Sequence, residues 1–269
     1  MKKLPLSGIY ITFILFVMYL PILLVIIYSF NENKLTSVWS GFSLRWYGEL
    51  IRDRSMFEAL RNSVILAAIS AVLAAVIGTL GAVGMSRAKL RGAAVMEYAA
   101  TLPIMVPEII LGMVFLAFFS LIRLPFGMTT LVIAHTAFCV PYILLLVKAR
   151  LAGMDKSYVE AARDLGAGEL RAFFDITLPL IVPAVVSGML LAVAMSMDDV
   201  IISVFVTGVN TNTLPIKIYT QIKTGVTPKT NALCTILFLI TVIMGGLSSV
   251  IGSERKSRVK ADKNKEVIN

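Results

Sequence analysis

The sequence predicts an all-α integral membrane protein with six transmembrane helices. Three observations carry this. The 269 residues are 58% apolar and only 15% charged, against roughly 45–50% and about 25% in soluble domains, and the mean hydropathy is +0.86. Five long stretches carry no formal charge and a sixth carries one. None alternates apolar and polar residues as a membrane strand does. A soluble enzyme, a disordered chain and a disulfide scaffold are excluded.

Each element follows from charge spacing, since about 20 helical residues at about 1.5 Å each cross a hydrocarbon core of about 30 Å. Residues 4–31 are uncharged and predict a first span over about 8–30. Lys2 and Lys3 precede it as in a signal peptide. The apolar run is longer than a signal-peptide core and no A-x-A site follows, so it reads as a retained span. Residues 32–61 form a long connection holding Trp39, Trp46 and Tyr47, aromatic residues suited to a membrane interface. Uncharged residues 62–86 give the second span. The third, about 95–121, contains Glu108 behind Pro103 and Pro107. The fourth runs over about 126–148, and a long polar loop over 149–177 separates it from the fifth, about 178–204. The sixth covers about 231–252, and the whole of residues 1–269 reads as one transmembrane domain.

Of the 25 lysines and arginines, 16 fall on the side shared by both termini and 9 on the other. The excess of cytoplasmic lysine and arginine predicts a multi-pass cell-membrane protein with both termini inside. It also accounts for the net charge of +9 without nucleic-acid binding.

Catalytic and cofactor chemistry finds no foothold. No phosphate loop of the form G-x-x-x-x-G-K-[ST] is present. Cys139 and Cys234 both lie in spans, outside any metal-ligand spacing. The one histidine, His135, is also in a span, where it can hydrogen-bond a neighbouring helix or line a pathway. The chain is thus expected to be no enzyme and to need no cofactor or metal. Uphill transport would draw on an ion gradient or on a partner.

The loop over 149–177 is the most informative segment. Ser157 and Glu160 have capping-box spacing, which predicts a helix from about Tyr158. Gly166 is placed to end it, and a second short helix is expected from about Gly168 to Phe174. Pro179 suits the first turn of the next span. Ala161 and Ala162 would leave a surface that another protein can approach closely.

Three acids lie at span depth, where each is a site hypothesis by default. Glu108 follows two prolines that can open a kink toward a cavity; alternatively Pro107 and Glu108 simply start a helix. Asp198 and Asp199 follow 22 uncharged residues, nearly 30 Å along a helix from the loop, and the apolar run then resumes at Val200. Being adjacent, one can face a pathway and the other a neighbouring helix; a solvated helix end is the alternative. With no Lys or Arg inside a span, these acids suit a cationic solute. Trp46 and Tyr219 could add cation–π contacts or serve as interface anchors.

The loop also carries a resemblance. Glu160, Ala161 and Ala162, then Gly166, then Ile176, Leu178 and Pro179 match in full the EAA motif of ABC importer permeases. Residues 196–200 (SMDDV), 205–208 (FVTG), Leu214-Pro215, 217–219 (KIY) and 231–233 (NAL) resemble the second, C-type permease subunit of spermidine/putrescine importers. Ser196 joins the acids as a pathway candidate within this segment. The resemblance implies a MetI-like permease architecture in a bacterial inner membrane. It implies a homologous permease partner, two copies of an ABC ATPase docked on the EAA loop, an extracytoplasmic polyamine-binding protein, and a polyamine solute. Another solute of the same class (ferric iron, an opine or sulfate) and an ion-coupled secondary carrier remain the alternatives.

Overall fold

The computed structural model describes residues 6–34, 38–87, 93–155 and 157–243. Their regular structure is helical, apart from one antiparallel bridge between Asn31 and Phe42. Two compact units divide the chain, one drawn from residues up to Arg54 and from Gln221 onward, the other being Ser55–Thr220.

In the first unit, α1 (Leu6–Tyr28) is apolar on every side and its span buries none of its residues against the rest of the chain. A helix apolar all round belongs in lipid or against another subunit. The chain then folds back through buried Asn31. Its side-chain amide donates to the Val38 carbonyl at 2.8 Å and accepts the Ser40 N–H at 3.0 Å. Phe30 packs between Phe42 and Tyr47, with ring centroids 5.2 and 5.3 Å away. Helix α2 (Arg45–Ile51) buries Trp46 and Leu50.

The second unit is built around α6 (Met128–Ala152). One side of it buries Leu131, Ala134, His135, Phe138, Cys139, Ile143, Leu144 and Val147. Small residues bring its neighbours close, as in other helix pairs within membranes. Ala71, Ala74, Ala75 and Ala82 of α3 (Arg54–Arg87) and Gly188 and Ala192 of α9 (Leu178–Asp198) supply the buried small positions. Ile143 is wedged between two glycines: a Cβ on either Gly78 or Gly188 would stand 3.1 Å from it.

Among the described residues, four helices are long and apolar enough to cross a membrane, five with one bent pair. The bent pair is α4 (Ala93–Met105) and α5 (Glu108–Leu121), between which the chain bends by 108°. The expected third span is therefore broken. Pro107 lacks an N–H, holds an extended backbone (φ −54°, ψ 136°) and disfavours a helical Val106. The expected fifth span is an intact helix of membrane length that stops at Asp198, short of the expected end near 204, and a short helix, α10 (Ile201–Val206), follows. The helix of the second expected span begins eight residues before 62, at Arg54, because charge marks the edge of the hydrocarbon and not the end of a helix. The sixth expected span falls on the apolar helix Pro228–Ile243 and on residues 244–252, which lie outside the described residues.

Between α6 and α9 the loop forms α7 (Ser157–Asp164) and α8 (Glu169–Ala172), and a π turn, Phe173–Thr177, runs directly into α9. Numbering in chain order ends with α11 (Leu214–Thr224) and α12 (Pro228–Ile243).

Candidate functional site

The two helix breaks bring the membrane acids together. Glu108 is the first residue of α5, Asp198 the last of α9, and Asp199 the extended residue before α10. All three line one cavity of about 300 Å³, with Phe138, Met195, Val200 and Ile201. Among the described residues, no lysine or arginine lines it.

The three carboxylates stand in different electrostatic settings. Glu108 lies in the first turn of α5, where the N–H end of a helix favours an anion. Asp198 lies against the last carbonyls of α9, where the helix dipole disfavours an anion and favours a cation. Neither side chain has a hydrogen-bond or ion-pair partner among the described residues, and both are exposed in the single chain.

Asp199, by contrast, is saturated. Its Oδ1 accepts the Ile202 N–H at 3.1 Å, and its Oδ2 accepts the Ser203 N–H at 2.8 Å and the Ser203 hydroxyl at 2.7 Å. Asp199 thus caps α10, which is why the chain breaks here: a short carboxylate competes well for the free N–H groups of a first turn. His135 Nε2 lies 3.4 Å from the same Oδ2, and the side chains are 0% and 5% exposed. Of the adjacent acids, both of which line the cavity, Asp198 is exposed and Asp199 lies against His135 of α6.

Ser196 does not line the cavity. It is buried and its Oγ lies 2.8 Å from His135 Nδ1. Trp46 belongs to the first unit, where it is buried, donates its indole N–H to the Asn31 carbonyl at 2.7 Å and carries the Arg45 guanidinium 5.2 Å above its ring. Tyr219 lies on α11, 40% exposed, and is not among the cavity residues. The aromatic ring at the cavity is Phe138. It was legible in principle, because it follows His135 by three residues and so shares its side of the helix.

The loop folds as a Schellman turn. Gly166 has φ +85°; its N–H reaches the Arg163 carbonyl at 2.8 Å, and the Ala167 N–H reaches that of Ala162 at 3.0 Å. The start of α7 departs from expectation. The helix begins at Ser157, whose N–H is received at 2.9 Å by the Asp155 carboxylate, so Asp155 caps it instead of a Ser157–Glu160 box. That N–H, with a further hydrogen bond from Ser157, holds the Asp155 carboxyl below its ordinary range. Glu160 lines a cavity of about 250 Å³ with Ser86, Leu151, Met154, Val159, Arg163 and Thr177. Ala161 is exposed and Ala162 partly so, while Leu165 and Leu170 are 90% and 76% exposed. Leu178 packs against the core, Ile176 is half-buried, and Pro179 occupies the first turn of α9. The loop and the acid cavity sit at opposite ends of α9, whose 21 residues span about 30 Å.

Among the described residues, no group of three His, Cys, Asp or Glu is placed to hold a metal ion.

The family model for "Binding-protein-dependent transport system inner membrane component" matches residues 74–253. The chain is 40% identical over 251 residues to the putrescine transport system permease protein PotI of Escherichia coli (strain K12), covering 90% of this chain and 89% of that one. It is 38% identical over 250 residues to the spermidine/putrescine transport system permease protein PotC of the same strain, covering 93% and 95%. Among solved structures, it is similar to a chain of a bacterial ABC transporter involved in import of the acidic polysaccharide alginate. That match has a TM-score of 0.70 at 14% identity and covers 92% and 94%.

Proposed function

We propose, from the premise that this chain belongs to the binding-protein-dependent transport system inner membrane components, that it is the permease subunit of an ATP-driven importer of polyamines. The observation that carries the solute class is the cavity at the α5 and α9 breaks. Two carboxylates without a protein partner, one at a negative helix end, meet there beside Phe138, with no basic side chain among them. An ammonium group compensates both carboxylates and gains a cation–π contact worth about 0.5–2 kcal/mol. A polyamine brings several such groups separated by methylenes, which suit Met195, Val200 and Ile201.

The chain works as half of a pathway. A homologous permease closes the open side of the cavity, an extracytoplasmic binding protein delivers the solute, and two ATPase copies drive the cycle. The loop around Gly166 is the ATPase dock, supported by its exposed Leu165 and Leu170 and by the full EAA spacing. Both termini face the cytoplasm, supported by the asymmetry of 16 basic residues among 25. Asp198, Glu108 and Phe138 contact the solute, and Asp199 and Ser196 shape the site.

The test is ATP-driven putrescine and spermidine uptake by the importer reconstituted with its partner permease, ATPase and binding protein. Glu108→Gln and Asp198→Asn lower uptake while the complex assembles at parent level. Uptake at the parent rate by both would remove the cation role from this cavity.

A further inference from the structure

His135 is fully buried, yet every polar atom of its ring is engaged. Nδ1 lies 2.8 Å from Ser196 Oγ, and Nε2 lies 3.0 Å from Ser203 Oγ and 3.4 Å from Asp199 Oδ2. The protons on this network can be assigned by counting. The Ser203 hydroxyl has one hydrogen, and it goes to Asp199 Oδ2 at 2.7 Å. Ser203 Oγ can then only accept from Nε2, so Nε2 carries the ring proton. In the neutral ring, Nδ1 accepts the hydroxyl hydrogen of Ser196. One residue of α6 therefore ties the last turn of α9, the Asp199 break and the first turn of α10.

We propose that His135 is the positioning residue of the solute cavity: its Nε2–H holds Ser203, whose hydroxyl in turn holds Asp199, so that Asp199 stays turned to the protein and Glu108 and Asp198 are the carboxylates left for the cation. This rests on the polyamine-permease reading. Without the Nε2–H, the cap formed by Asp199 and Ser203 loses its hydrogen bond to α6, the one received at Ser203 Oγ. The break is then free to rotate, and a third carboxylate competes for a solute that must also leave.

The experiment is uptake by the complete reconstituted importer carrying His135→Gln, His135→Asn or His135→Leu. Glutamine reaches as far as Nε2 and can donate to Asp199 and Ser203. Asparagine reaches only as far as Nδ1, and leucine donates nothing. The expected result is substantial uptake with glutamine and a loss of about tenfold or more with asparagine and leucine. Rescue by glutamine and not by asparagine is the readout that a purely structural role would not move, and a double-mutant cycle tests the contact itself. Adding Asp199→Asn to His135→Asn should cost little further, because both act through one contact. Equal losses for glutamine and asparagine, fully additive losses in the cycle, or parent uptake by all three variants each overturn the proposal. If the leucine variant fails to assemble, the glutamine–asparagine pair and the cycle decide. Parent uptake by Glu108→Gln and Asp198→Asn would instead overturn the carboxylate reading; losses there with all His135 variants unimpaired would overturn the His135 proposal alone.

Discussion

Asp199 accepts both the backbone N–H and the hydroxyl of Ser203, at 2.8 and 2.7 Å, with one carboxylate oxygen. This local pairing ends one helix, starts the next, and leaves the preceding Asp198 at a helix C-terminus with its carboxylate uncompensated.

Removing the cap should be measurable as stability. Asp199→Ala is expected to lower the unfolding free energy of the purified subunit by roughly 1–2 kcal/mol, read as a lower thermal midpoint in detergent. Asp199→Asn keeps an acceptor for the Ile202 and Ser203 N–H groups. It should therefore lie between the alanine variant and the parent. An alanine midpoint equal to the parent would mean that the break is held by packing alone.

Two glycines of α3 should answer oppositely to alanine. At Gly78 a Cβ would meet Ile143 and the backbone nitrogen of Leu144, all at 3.1 Å, so Gly78→Ala should destabilise by about 1–3 kcal/mol. At Gly84 nothing lies within 4 Å. Gly84→Ala should be neutral or stabilise by up to about 1 kcal/mol through helix propensity. Matching thermal midpoints for the two variants would contradict the packing of α3 on α6.

Gly166 is constrained by its backbone and not by its surroundings. Its φ is +85° and no atom lies within 4 Å of where a Cβ would sit. The left-handed conformation costs other residues roughly 1–2 kcal/mol, with asparagine among the exceptions. Gly166→Val should lose ATPase binding and uptake, whereas Gly166→Asn should keep most of both. Loss with asparagine as deep as with valine would point to a requirement for glycine itself at the docked surface, not to the turn.

The orientation can be tested with single cysteines in a background lacking Cys139 and Cys234. Val209 and Leu165 are 92% and 90% exposed in the single chain, and the strain lacks the ATPase, which would cover Leu165. A membrane-impermeant thiol reagent added to intact spheroplasts should label Val209→Cys at once and Leu165→Cys only after permeabilisation. The reverse pattern would invert the topology.

Much of this was legible in the sequence, and the reasons for the rest are physical. Charge-free runs located the apolar helices because hydrocarbon excludes charge wherever it lies in the chain. The glycine turn at Gly166 and the proline break before Glu108 announced themselves by residue type. The break at Asp199 did not, since the apolar run continues on both sides and the cap depends on which N–H groups the carboxylate reaches. The sequence places the start of α7 within one residue but does not single out its cap, because Asp155 and Ser157 are both good capping residues, two positions apart. His135 offered only a polar ring at span depth; its partners come from 61 and 68 residues away. Residue type alone points to aromatic residues near the outer side, Trp46 and Tyr219, whereas Phe138 reaches the acids by tertiary packing.

The most direct measurement is uptake of labelled putrescine by the reconstituted importer with Asp198→Asn and Glu108→Gln, singly and together, alongside ATP hydrolysis stimulated by the loaded binding protein. Truncating one partner of a desolvated charge pair costs about 2–5 kcal/mol, so each single variant should lose uptake by more than about tenfold. Stimulated hydrolysis should persist, because the loop at the other end of α9 is untouched. Parent-level uptake by the double variant would contradict the account, leaving the acid cavity as architecture and the cation path elsewhere.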